Sequence, residues 1–205
     1  MMLQHSISCS SVITKGGAKR MMSPAWVCND RFSALLSCLR MEPVRSTAEI
    51  LAFKVLNRDI DGLWIEWASE MLLAGHDTEH LRILAGERAP FDQFYLHRLT
   101  DIVFSELNLD HSDTEQTVKN YASYLIERTL NGESVSFKVL TTLKDLCIEL
   151  GYAKYLYSFY LLYFATFDLV NWGDQHYWEG ATKENIEEVT KRHFTHWRSD
   201  PSNFA

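Results

Sequence analysis

The sequence predicts an all-α fold, a single-domain irregular helical bundle of about seven or eight helices, partly stacked as helical hairpins. Three observations predict it. From residue 46 onward, apolar residues recur at spacings of three and four. The segments that carry this pattern open on Ser, Thr or Asp and close on Gly or Asn. No stretch alternates apolar and polar residues long enough to make a strand. With 205 residues, 46% of them hydrophobic, the chain can bury one core without disulfides or metals to staple it.

The first part of the chain reads differently. Residues 1–40 carry Lys15, Lys19, Arg20, Arg31 and Arg40 against one acid, Asp30, which leaves −11 of the net −7 to the remainder. They also hold Cys9, Cys28 and Cys38, and the Ser-rich stretch SISCSSVITKGGAKR. Basic, acid-poor composition is like that of an organelle transit peptide, but no Arg-rich amphipathic helix accompanies it, and no secretory hydrophobic core is present. We read residues 1–45 as a poorly ordered or non-native extension, with translation beginning at Met21, Met22 or Met41, and 46–205 as the helical domain.

The helical elements follow in order. Ser46-Thr47-Ala48-Glu49 has the form of a capping box, in which serine and glutamate side chains reciprocally satisfy free N–H groups. The helix it opens is broken at residues 59–62. In LWIEWASEMLLAG, Trp64, Trp67, Ala68 and Met71 share one face and Glu66 and Glu70 another, and Gly75 ends the helix. Asp77 or Thr78 caps the next helix, whose ending Leu84-Ala85-Gly86 repeats Leu73-Ala74-Gly75, so two short helices closed alike are expected as a hairpin. Pro90 opens a helix with the stripe Leu96, Leu99, Val103, Leu107. Asp113 to Gln116 caps one with Val118, Tyr121, Ala122 and Leu125, closed by Asn131-Gly132. Another carries Val139, Leu143, Leu146 and Leu150 and stops at Gly151. YAKYLYSFYLLYFATF is apolar on all sides and reads as the buried centre of the domain. It is too short for a bilayer, which needs about 20 apolar residues. After a loop holding Trp172, His176, Tyr177 and Trp178, Thr182 caps a last helix with Ile186, Val189, His193 and Trp197 inward.

Several function classes drop out. An acidic chain whose Lys and Arg form no stripe repels phosphate backbones, so nucleic acid is excluded as a partner, as is the membrane. There is no G-x-S-x-G elbow and no phosphate-cradling glycine loop. Cys147, alone in the body of the chain and beside a leucine stripe, predicts an inert buried thiol and a reducing, cytoplasmic setting. The acid pairs Asp59/Asp61, Glu66/Glu70 and Glu187/Glu188 have the spacing of solvated faces.

Metal chemistry has two places to be. His76 and His80 straddle a chain turn instead of sharing a continuous helix, which argues against a ligand pair. His193 and His196 lie three apart on one helix and, with His176 or Asp174, give the rival reading of a metal-dependent hydrolase. Otherwise no cofactor is predicted. What remains is acidity: Glu66, Glu70, Asp77, Glu79 and Glu87 fall in consecutive elements and are expected to form one negative patch beside Trp64 and Trp67, fit to steer a basic protein partner.

Residues 60–109 combine a Trp-rich helix, a Gly-closed turn, a leucine-alanine-glycine helix and a helix ending in Glu-Leu-Asn-Leu. In this the chain resembles small all-helical bacterial proteins of immunity type, associated with polymorphic toxins and conflict loci. The resemblance spans residues 46–198, rests on packing and turn motifs, and transfers no functional residue. It implies a non-enzymatic protein-binding module that neutralises a basic toxin domain. A structural subunit or homodimer joined through the aromatic helix is the third reading.

Overall fold

Backbone turns, more than side-chain caps, decide where the first helix begins. In the computed structural model, which describes residues 42–203, Thr47 N donates to the Val44 carbonyl at 2.9 Å, so the chain winds into helix α1 (Thr47–Val55) from a preceding turn. The capping box is therefore not formed. Ser46 has helical dihedrals and its hydroxyl donates instead to Glu70 Oε2 at 2.7 Å, while Glu49 accepts from the Tyr121 hydroxyl. The expectations for residues 1–41 lie outside the described residues. Residues 42–45 are tied to the bundle: Val44 N meets Met71 Sδ at 3.4 Å and Arg45 pairs with Glu127 at 3.0 Å.

Seven further α-helices follow among the described residues, with a 3-10 turn and no strand: α2 (Gly62–Leu73), α3 (Glu79–Gly86), α4 (Gln93–Glu106), α5 (Thr114–Leu130), α6 (Ser136–Glu149), α7 (Lys154–Asn171) and α8 (Ile186–Ser199), then Pro201–Asn203. The all-α bundle is as the sequence predicts. Four starts carry a side-chain cap, each worth about 1 kcal/mol. Asp61 accepts from Leu63 N, Thr78 from Leu81 N, Asp92 from Tyr95 N and Asp113 from Gln116 N. Helix α4 thus begins at Gln93, three residues beyond the start expected at Pro90. Helix α8 begins at Ile186, because the Asn185 side chain accepts from Thr182 N at 2.8 Å and spends residues 182–185 on a turn.

The α2–α3 hairpin is present, but its helices do not close alike. Gly75 has φ +94°; His76 N donates to Met71 O and Gly75 N to Leu72 O, the paired bonds that satisfy the last carbonyls of a helix through a left-handed residue. Gly86 is the final helical residue, and the chain leaves through Glu87 in an extended conformation.

Two apolar clusters fill the interior. One gathers Ile50, Ile60, Trp64, Trp67, Met71, Leu81, Leu84, Leu96, Leu99, Val103 and Phe104 from α1 to α4. The other gathers side chains of α5 to α8, including Val118, Ile126, Leu143, Phe159, Leu162, Phe194 and Trp197. Helix α1 belongs to both, giving Ile50 to the first and Ala52 to the second, with Phe53 packed against each. Polar ties hold α1 on α4: Lys54 Nζ, almost covered, donates to the His97 carbonyl at 2.9 Å and to Thr100 Oγ1 at 3.1 Å and pairs with Asp101. The Gln93 amide makes two bonds with the Ile60 backbone, at 2.7 and 2.8 Å, pinning the α1–α2 connection onto α4.

Helix α7 is not the all-round buried centre expected of it. Leu156, Phe159, Leu162, Ala165 and Leu169 face inward, whereas Tyr157, Phe167 and Val170 are exposed and Tyr160, Tyr163 and Phe164 are half-buried. A helix buries only the faces its neighbours cover, and α6 and α8 cover one side of this one. The outward rings pack on each other: Tyr157 stacks on Tyr160 at 5.6 Å and Tyr163 on Phe167 at 6.1 Å. The loop after α7 is ordered by one side chain. Gln175 Nε2 donates to the Trp178 and Ala181 carbonyls, and its Oε1 accepts from Tyr177 N and Trp178 N.

Candidate functional site

Helix α2 turns Trp64, Trp67, Ala68 and Met71 into the core, and this settles what its other face must be. Residues at i, i+3 and i+4 share a face, so Gly62, Ile65, Glu66, Ser69, Glu70 and Leu73 form a continuous outward stripe. Together with Glu87 and Phe91 from the α3–α4 connection they line an open groove of about 520 Å³. The sequence missed the apolar part of this groove, since Ile65, Leu73 and Phe91 gain their meaning only when the α3–α4 connection folds back beside α2. Leu73 is 89% exposed, an apolar group left facing water at the end of an acidic stripe.

Of the five acids expected to form one patch, the groove brings together three, Glu66, Glu70 and Glu87. None of these makes an ion pair among the described residues. Glu70 accepts from Ser46, which orients its carboxylate without neutralising it. Asp77 and Glu79 do not line the groove. Asp77 is held by a two-pronged bond from Arg82, at 2.5 and 2.7 Å, and the guanidinium keeps its carboxyl below the usual carboxylate range. Nor do Trp64 and Trp67 lie beside the acids at the surface, because both are fully buried. Trp67 Nε1 donates to Thr47 Oγ1 at 2.9 Å, and Trp64 stacks on Phe104.

The histidines are dispersed. His76 donates through Nε2 to the Glu42 carbonyl, and His80 Nδ1 lies 2.6 Å from Glu106 Oε1. His193 is half-buried on α8, with Nε2 hydrogen-bonded to Ser158 Oγ at 2.9 Å and its ring edge-on to Phe159 and Trp178. Burial, with a contribution from His196, lowers its pKa to about 4. His196 lies on the exposed side of the same helix. His176 is almost fully exposed, 3.9 Å from Asp174. His193 and His196 line a groove of about 510 Å³ with Trp178 and Arg192, but His176 and Asp174 do not reach it. Among the described residues no three His, Cys, Asp or Glu side chains are placed to hold a metal ion. His176 and Asp174 therefore do not join His193 and His196 in one site; from their loop it is Trp178 that packs against His193.

Cys147 is a buried free thiol, and burial pushes its pKa up, as its place in the leucine stripe predicts. No described helix is long and apolar enough to cross a membrane. Compared with known proteins, the chain matches no family model, no curated protein and no solved structure.

Proposed function

We propose that the chain is a non-enzymatic protein-binding module whose α2 groove takes a basic, partly apolar segment of another protein, and that this partner is a basic toxin domain neutralised by an immunity-type contact. One observation carries the reading: three carboxylates that make no ion pair among the described residues, Glu66, Glu70 and Glu87, share a groove with Ile65, Leu73 and Phe91. Carboxylates raise the on-rate of a basic surface, and an apolar centre supplies contact area that charge alone does not.

The test is fluorescence anisotropy with a labelled amphipathic peptide rich in Lys and Arg, at low and at high salt. Binding that weakens with salt and is lost in the triple variant Glu66→Gln, Glu70→Gln, Glu87→Gln is the expected result. Equal binding by the triple variant removes the groove from the proposal.

A second reading, self-association through α7, is favoured by the exposed Tyr157 and Phe167 and the stacked rings beside them. Light scattering across a concentration series decides it, since a homodimer joined there dissociates on Tyr157→Asp.

A further inference from the structure

A further groove, between α3 and α4, has the opposite chemistry to that of α2. Phe94, Tyr95, Arg98, Leu99 and Ile102 run along one face of α4, and His80 and Ile83 meet them from α3 around a space of about 380 Å³. Four of these, Phe94, Tyr95, Ile102 and Ile83, are among the exposed large hydrophobic residues of the chain, and Phe94 is 77% exposed. Exposed apolar groups scattered singly need no explanation, but four around one concavity mark a binding surface.

The one cationic side chain lining this groove is Arg98. Arg98 is exposed and makes no ion pair among the described residues, although acids outnumber bases in the chain. The Glu106 carboxyl is held below its usual range by the neighbouring Thr78 hydroxyl and by His80, whose Nδ1 lies 2.6 Å from Oε1. Being ionised, it can only accept, so His80 Nδ1 carries the hydrogen between them and the ring is fixed in one orientation. An apolar floor with a few polar groups converging on it, in a volume at the lower end of the small-molecule range, is the usual form of a ligand pocket.

We infer that the α3–α4 groove binds a small apolar monocarboxylate, its carboxylate on the Arg98 guanidinium beside His80 and its alkyl or aryl body against Ile83, Phe94, Tyr95, Leu99 and Ile102. The planar guanidinium fork matches a carboxylate in two parallel hydrogen bonds. The apolar body supplies affinity by covering side chains that otherwise face water. This site is separate from the α2 groove and does not depend on the partner proposed there.

The experiment is a titration of the isotope-labelled chain with 4-phenylbutyrate, with 4-phenylbutan-1-ol and 4-phenylbutylamine as matched neutral and cationic controls, followed by the amide resonances of α3 and α4. Saturable shifts confined to those helices, about tenfold tighter for the acid than for either control, are expected. Arg98→Gln should weaken acid binding about tenfold, and Arg98→Lys, which keeps the charge but not the fork, should weaken it less. Because Arg98 is exposed, neither variant threatens folding. The inference is overturned if 4-phenylbutyrate moves no α3 or α4 resonance, if the alcohol or amine binds as tightly, or if Arg98→Gln binds unchanged. It is equally overturned if light scattering shows a dimer that Phe94→Asp dissociates, which would assign the groove to a second copy of the chain.

Discussion

The Tyr121 hydroxyl donates to Glu49 Oε1 at 3.1 Å, joining α5 to α1 across 72 residues of sequence. Burial raises the Glu49 pKa above its ordinary value of 4.5, and burial also raises that of Tyr121, so the phenol stays protonated and donates. A carboxyl whose folded pKa is raised takes up its proton in the native state first. Its contribution is therefore full below 4.5 and is lost as pH rises through the folded value.

Two substitutions test this pair. Tyr121→Phe removes the donor from a half-buried carboxylate and should cost about 1–3 kcal/mol at pH 7, read by urea denaturation. Glu49→Gln keeps an acceptor for Tyr121 without the buried charge, and should hold or raise stability at pH 7 while removing the gain that the native protein shows on mild acidification. A Tyr121→Phe variant as stable as the native chain would contradict the arrangement.

His193 should titrate in the opposite sense. Its folded pKa of about 4 lies below the ordinary 6.5, so the unfolded chain binds the proton first, and stability present above 6.5 is lost as pH falls towards 4. The gap corresponds to at most about 3 kcal/mol. Thermal melts at pH 7 and pH 4.5 should show the native chain losing more stability than His193→Gln.

At Gly75 the backbone sets the cost. Its φ of +94° is a conformation that side chains resist, so Gly75→Ala should lower stability by about 1–2 kcal/mol. The midpoint of urea unfolding should fall while the slope stays constant.

The aromatic junction of α7 and α8 carries a larger penalty. Phe159 is fully buried and meets Phe194, Trp197 and His193 edge-on at 5.2–5.9 Å. Phe159→Ala should cost about 3–5 kcal/mol by calorimetry or denaturation, through lost burial and the cavity left behind. Tyr157→Ala, two residues away but on the exposed face, should stay within about 0.5 kcal/mol.

Sequence alone carried the helices well because periodicity is a local signal. Trp64, Trp67, Leu96, Leu99, Val118 and Leu143 all point inward as their spacing requires. Side-chain partners were legible only where they are local. Asp113 caps its helix by accepting from Gln116 N, three residues further on, whereas Ser46 and Glu49, in an equally good local motif, are taken by Glu70 and Tyr121 from distant helices. The acidic stripe of α2 could be read from Glu66 and Glu70, but not the separation of Asp77, which Arg82 removes from the patch. Helix α7 failed for a related reason: composition states how apolar a helix is, and only packing states which side has neighbours.

Helix α1 has a consequence for how the molecule comes apart. Nine residues long, it sends Ile50 into one apolar cluster and Ala52 into the other. Neither cluster can loosen without exposing part of the other, so sub-global opening of one half alone should be suppressed. Slowly exchanging amides in α2 and in α7 should then report the same opening free energy and fall together when Ala52 is enlarged.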